Sequence, residues 1–183
     1  FSHDAERALC AACGDSVSLY AEVLSFTRLA ARVSALYGGA ARETLDNGGR
    51  LTALALALQY AQPRLKIYAA ARTRPELIVQ LGAQIEEFRS YGVRPDDLRA
   101  ASGQFSGAFA QKLEELALIL DSYDAVCKAG RADPASRLEQ LCEQLWETDF
   151  LAGKTICLDG FTDFTGLQLA ILRLLLRRGC DVT

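Results

Sequence analysis

A β-branched and apolar run, 155-TICLD-159, breaks at Gly160-Phe161 into a short polar turn and then an amphipathic segment, 166-GLQLAILRLLLRR-178. A strand that ends in an acid and leads through a turn into a helix is a βα junction, which commits this part of the chain to an α/β layer. A second junction is expected near the other end. There 21-AEVLSF-26 reads as a strand, and 27-TRLAARVSALYG-38 follows with helical spacing up to Gly38-Gly39. The tail Asp181-Val182-Thr183 reads as the start of a third strand.

Helices fill the space between the junctions. The pattern predicts them over 48–61, 64–72, 75–91, 95–101, 107–128 and 135–147. Pro75 and Pro134 suit first-turn positions, and Asp133 is placed to cap the turn that Pro134 opens. In 113-LEELALILDSYDAV-126 the residues Leu113, Leu116, Ile119, Leu120 and Tyr123 form a buried stripe, which leaves Glu114, Glu115, Asp121 and Asp124 to face solvent. The expected organisation is α/β with a large helical insertion. Residues 1–44 begin the layer, 45–150 form the insertion, and 151–183 return to the layer. Strands 21–25 and 155–159 are then expected side by side in one parallel sheet.

Composition excludes several classes. Half of the 183 residues are apolar and 23% are charged, which describes an ordinary globular chain rather than a disordered one. The net charge of -3 supplies no global basic field, so any nucleic-acid contact must be local. The longest apolar runs, such as 51-LTALALAL-58, are too short to span a bilayer, so no membrane contact is expected. The polar start around Ser2-His3-Asp4 shows no signal-peptide pattern, and the lack of any methionine suggests an internal piece of a longer protein. Six scattered cysteines, Cys10, Cys13, Cys127, Cys142, Cys157 and Cys180, fit reduced thiols in the cytoplasm. Cys10 and Cys13 make a lone CxxC, which is half of a tetrahedral zinc site. Cys157, inside the strand run, reads as a buried small hydrophobe. No metal ligand set follows.

In open parallel sheets, ligands gather at the carboxyl ends of strands, where Asp159 is expected. In a P-loop ATPase an aspartate there helps to hold Mg²⁺, and the next glutamate orients the attacking water. Gly160 cannot do this, and the phosphate-cradling GxxxxGK[ST] loop occurs nowhere in the 183 residues. No catalytic residue is therefore assigned, and no ATP hydrolysis is expected of this segment. Asp159 is equally readable as a cap of the loop, with Asp163 and Thr165 as caps of the following helix. Phe161 and Phe164 fit either core anchors or contacts to a ligand. At the first junction Phe26 and Arg28 form an aromatic–cation pair able to stack a base and hold a phosphate, and equally a core ring and a solvated charge.

Taken in order, these motifs resemble a superfamily 1 DNA helicase, and more closely the inactivated helicase-like region of the AddB family. In such helicases a "TFH" motif follows a strand and touches single-stranded DNA, and 25-SFTR-28 stands in its place. A helical 1B insertion comes next, then motif II, "VDEFQD...Q". Here 158-LDGFTDFTGLQ-168 matches it through Asp159, Asp163 and Gln168, with Gly160 replacing the glutamate. The stretches 6-ERALC-10, 46-DNGGR-50 and 87-EFRSYGVRPDDL-98 are also similar to AddB sequences. Ala31 departs from the aromatic often found there.

The resemblance implies a partial P-loop helicase-like 1A domain with a 1B-like helical lobe. It implies DNA contacts at Phe26, Thr27, Arg28, Phe161 and Phe164, and a vestigial motif II at Asp159, Gly160, Asp163 and Gln168. For the complete complex it implies an AddA-type partner subunit in a heterodimer, ATP and Mg²⁺ for unwinding, and a C-terminal exonuclease domain with a [4Fe-4S] cluster. The complex would process double-strand-break ends for recombinational repair and read Chi on single-stranded DNA. An active superfamily 1 ATPase and a helical interaction module unrelated to DNA are the competing readings. Gly160 counts against the first, and the ordered pair of junctions against the second.

Overall fold

The structure, a computed structural model, describes residues 2–38, 43–178 and 180–182. Gly39 and Thr183, named in two of the expected elements, lie outside the described residues. The chain is mostly helical, with α1 over Ser2–Cys13, α2 over Phe26–Tyr37 and α3 over Asn47–Ala61. Then come α4, Pro75–Tyr91, α5, Pro95–Ser102, α6, Gly107–Ala129, and α7, Arg137–Glu147. The strand β1, Thr155–Ile156, precedes α8, Gly166–Arg177, and β2, Asp181–Val182, closes the series.

Local chemistry places most of these ends. The Ser25 side chain accepts from the Arg28 amide to start α2, and Asp46 accepts from Gly49 to start α3. Pro75 and Pro95 occupy first-turn positions, where a missing N–H costs nothing. Asp133 accepts from the Ala135 amide as expected, although the turn it caps is a 3₁₀ turn, Pro134–Ser136, leading into α7. At α8 the Thr165 hydroxyl and the Gln168 amide oxygen each accept from the other's backbone N–H, a reciprocal capping box.

Two apolar cores result. Leu54, Leu58, Ile85, Leu98, Ile119 and Leu120 unite α3 to α6 in one. Val33 of α2, Leu141 and Leu145 of α7, and Ile171 and Leu175 of α8 form the other. The small sheet lies beside the second core: β1 and β2 pair in parallel, Thr155 with Asp181 and Ile156 with Val182, with α8 as the crossover. The expected third strand is thus present at Asp181–Val182.

Several expectations are corrected. Residues 21–25 are not a strand, and β1 is shorter than 155–159, so the two junctions are not neighbouring strands of one sheet. The Ala21 amide bonds back to the Val17 carbonyl and Ser25 turns to cap α2, which commits to local turns the groups a ladder needs. Cys157, outside β1, is exposed rather than buried. The helix expected over 64–72 is replaced by two 3₁₀ turns, Gln62–Arg64 and Ala71–Thr73, around an irregular segment.

A further correction explains that last one. Glu115 is buried at 4% exposure instead of facing solvent. Its carboxylate accepts from the backbone N–H groups of Lys66, Ile67 and Tyr68, at 3.0, 3.1 and 2.9 Å. Amides committed to this carboxylate are not free to bond carbonyls four residues earlier, so a regular helix does not run through 66–68. Asp124 is also partly buried, paired with Arg89 of α4. Arg89 is 7% exposed, and lies 3.3 Å from Asp133 and 3.8 Å from Glu139. Its guanidinium covers the Tyr123 ring, whose hydroxyl donates to Asp133 at 2.9 Å.

α4 ends beside the start of α8. Gly92 caps α4 at φ 71°, a left-handed conformation that favours glycine. Gly166, the first residue of α8, faces the Tyr91 backbone so closely that an added Cβ would sit 2.8 Å from the Tyr91 carbonyl oxygen. Backbone atoms cannot move aside as a flexible side chain can. Gly166→Ala is expected to destabilise this contact by about 1–3 kcal/mol. Thermal unfolding would show it, and an unchanged midpoint would refute the close approach.

Candidate functional site

The residues singled out at the two junctions meet, although the strands do not. Phe26 opens α2, while Phe161 and Phe164 lie in the loop between β1 and α8. The Phe26 ring lies 5.5 Å from that of Phe161 and 6.4 Å from that of Phe164, both edge-to-face. Phe161 and Phe164 stack at 5.0 Å with 28° between their planes. These are favourable aromatic geometries, so the cluster holds itself together. It is not a core cluster throughout. Phe26 is half-buried and packs partly on the second core, but Phe161 is 44% exposed and offers a ring to solvent.

Thr27 and Arg28 are exposed in the first turn of α2. A helix advances about 100° per residue, so Arg28 leaves the helix on the side opposite Phe26. Its guanidinium donates to Glu6 of α1 at 2.8 Å. The structure therefore gathers Phe26, Phe161 and Phe164, and separates Arg28 from them across the width of one helix. On Arg28's side a groove of about 520 Å³ opens between α1 and α2. Its rim carries Glu22 and Arg32, bonded at 3.1 Å. Sequence reasoning missed Glu6, Glu22 and Arg32. The spacing of Arg28 and Arg32, one helical turn apart, was the available signal.

The motif II match divides in a similar way. Asp159 is exposed, and Thr165 rather than Asp159 or Asp163 caps α8. Gln168 is the partner of that cap. Gly160 sits at φ 75°, yet a Cβ there would meet nothing within 4 Å. Space for a side chain exists, but the backbone is in the left-handed region, where a glutamate would be strained by about 1 kcal/mol or more. Asp159 and Asp163 are the exposed carboxylates of this loop, and Gly160 adds none. Among the described residues no three His, Cys, Asp or Glu side chains gather as metal ligands. No described helix is long and apolar enough to cross a membrane.

Comparison with known proteins gives one consistent result. The family described as ADDB, N-terminal, matches residues 1–183. The B subunit of an ATP-dependent helicase/deoxyribonuclease from Symbiobacterium thermophilum is 33% identical over 168 residues, covering 88% of this chain and 14% of the relative. The protein of that name from Caldanaerobacter subterraneus subsp. tengcongensis is 30% identical over the whole chain and 16% of its own length. Its counterpart from Thermoanaerobacter sp. (strain X514) is 31% identical, with the same coverage. The chain thus spans about one sixth of the length of these relatives.

Proposed function

The chain belongs to the ADDB N-terminal family, and from that premise we propose that it is a non-catalytic, DNA-contacting segment of a helicase–nuclease component of the AddB type. The complete protein would pair with an AddA-type partner in the cytoplasm and process double-strand breaks for recombinational repair. In this reading ATP and Mg²⁺ act elsewhere in the complex, and the [4Fe-4S] cluster belongs to the C-terminal exonuclease domain. The segment's part is to hold single-stranded DNA and contribute to reading Chi.

The convergence of Phe26, Phe161 and Phe164 carries this reading. A partly exposed ring braced by two others is a platform on which an unpaired base can stack. Beside it the first turn of α2 presents backbone N–H groups, the Thr27 hydroxyl and the positive end of the helix dipole, all suited to a phosphate. Gly160 supports the non-catalytic half of the proposal, because it supplies no carboxylate to position water.

Phe161→Ala is the most direct test, since that ring is the most exposed of the three. In the assembled heterodimer it is expected to weaken single-strand binding by about 1–3 kcal/mol, with the fold intact. Phe26→Ala is expected to do the same at some loss of stability. Variants that are destabilised while their folded fraction binds DNA normally would return these rings to a packing role.

A further inference from the structure

Arg28 and Arg32 stand one turn apart on α2, so their guanidinium groups project from one face of the helix. Each is paired across the groove with a carboxylate from the chain that precedes α2. Arg28 Nη1 lies 2.8 Å from Glu6 Oε1, and Arg32 Nη2 lies 3.1 Å from Glu22 Oε1. Between the pairs the groove has an apolar lining that includes Val17 and Leu24. All four charged side chains are 38% to 50% exposed. Ion pairs this exposed are weak and exchange partners readily.

We propose that Arg28 and Arg32 are a two-phosphate contact held in self-pairing by Glu6 and Glu22, so that a single strand docks on this face of α2 only by displacing both carboxylates. The proposal rests on the reading of α2 as a DNA-contacting helix, and adds Arg32 and two acidic competitors to it. A backbone phosphate brings the same charge as the carboxylate it replaces and, like it, offers two anionic oxygens to the guanidinium fork. The arginines are then paired whether or not a strand is present, and the displaced carboxylates, still attached beside the strand, oppose its docking. Non-specific attraction is low, and a strand must also engage the aromatic platform to stay.

The test uses the full-length protein assembled with its AddA-type partner and a fluorescently labelled oligothymidine, titrated at several salt concentrations. Glu6→Gln and Glu22→Gln are each expected to tighten binding roughly two- to fivefold. Arg32→Ala is expected to weaken it, to lower the slope of log affinity against log salt by about 0.7, and to abolish the gain from Glu22→Gln. Glu43→Gln, which removes an exposed carboxylate paired with Arg131, controls for net charge and is expected to change little. If Arg28→Ala and Arg32→Ala leave affinity and slope unchanged while Phe161→Ala weakens binding, no strand lies on this helix face and the proposal alone falls; if Phe161→Ala is silent as well, the reading falls with it. If the arginine variants weaken binding but the glutamine variants do not tighten it, the carboxylates orient the arginines and the competition proposal alone fails. Equal tightening by Glu43→Gln would also overturn it.

Discussion

Arg89→Met will destabilise the helical core by about 3–5 kcal/mol, although methionine fills similar space. The reason is charge rather than volume. Arg89 holds Asp124, Asp133 and Glu139 at once, and the Asp133 side chain is 1% exposed. Without the guanidinium, Asp133 keeps the Ala135 amide, the Tyr123 hydroxyl and an Arg50 Nε at 3.4 Å, so one cation rather than two faces a carboxylate out of reach of water. The change has a pH signature. Burial already pushes the Asp124 and Glu139 carboxyls above their ordinary values, and Arg89 is the main attraction opposing it. Carboxyls whose folded values are raised hold more protons folded than unfolded, so their contribution to stability falls as pH rises above the ordinary carboxylate range. Removing Arg89 widens that window. The variant will therefore be most impaired near neutral pH and partly restored toward pH 5. Thermal unfolding across this range decides it: a pH-independent loss would mean that packing, not charge, is Arg89's contribution.

Glu115→Ala is expected to have the next largest effect, about 3 kcal/mol or more. It strands three backbone amides, each of which costs about 1–3 kcal/mol when buried without an acceptor, and water entering the gap offsets part of the sum. Glu115→Gln keeps one carbonyl oxygen and should cost less than half as much. Burial alone would raise the Glu115 carboxyl, but the Tyr68, Ile67 and Lys66 amides and the Gln111 side chain outweigh it and hold the group below its ordinary value. A lowered carboxyl stabilises the fold above its unfolded value and loses that effect as pH falls through the folded one. Acid should therefore loosen the segment between α3 and α4 first. Hydrogen exchange of the 62–74 amides is the measurement, and protection equal to wild type in Glu115→Ala would refute the anchoring role.

Elements governed by neighbours in sequence were legible. The β1–α8 junction, the strand at Asp181–Val182, the Leu113–Tyr123 stripe and the Asp133 cap all follow from rules that act within a few residues. What escaped depended on distant partners. Nothing near Glu115 marks it as the acceptor for Lys66, Ile67 and Tyr68, and an i+4 pattern counted it as a solvated charge. Arg89 lay in the helix expected over 75–91 and Gly92 just past it, with nothing local to mark either, and their roles became visible with Asp133 and Gly166 in place. The site shows the same division. Motif order put Phe26 with Phe161 and Phe164, which the structure brings together. Grouping Phe26 with Arg28 assumed a strand end, where residues two apart share a face. In the helix that forms instead, they do not.

The second core also sets an order of events during synthesis. Ala30 and Val33 of α2 are buried against helices that begin only at Arg137 and Gly166. At roughly 5–20 residues per second, α2 waits on the order of 5–20 s between its own emergence and that of α7. The inserted helices, whose contacts are mostly among themselves, can close their core in that interval. Newly made α2 is therefore an amphipathic helix without a cover. The last step in assembling this core is the return of α7 and α8 onto α2.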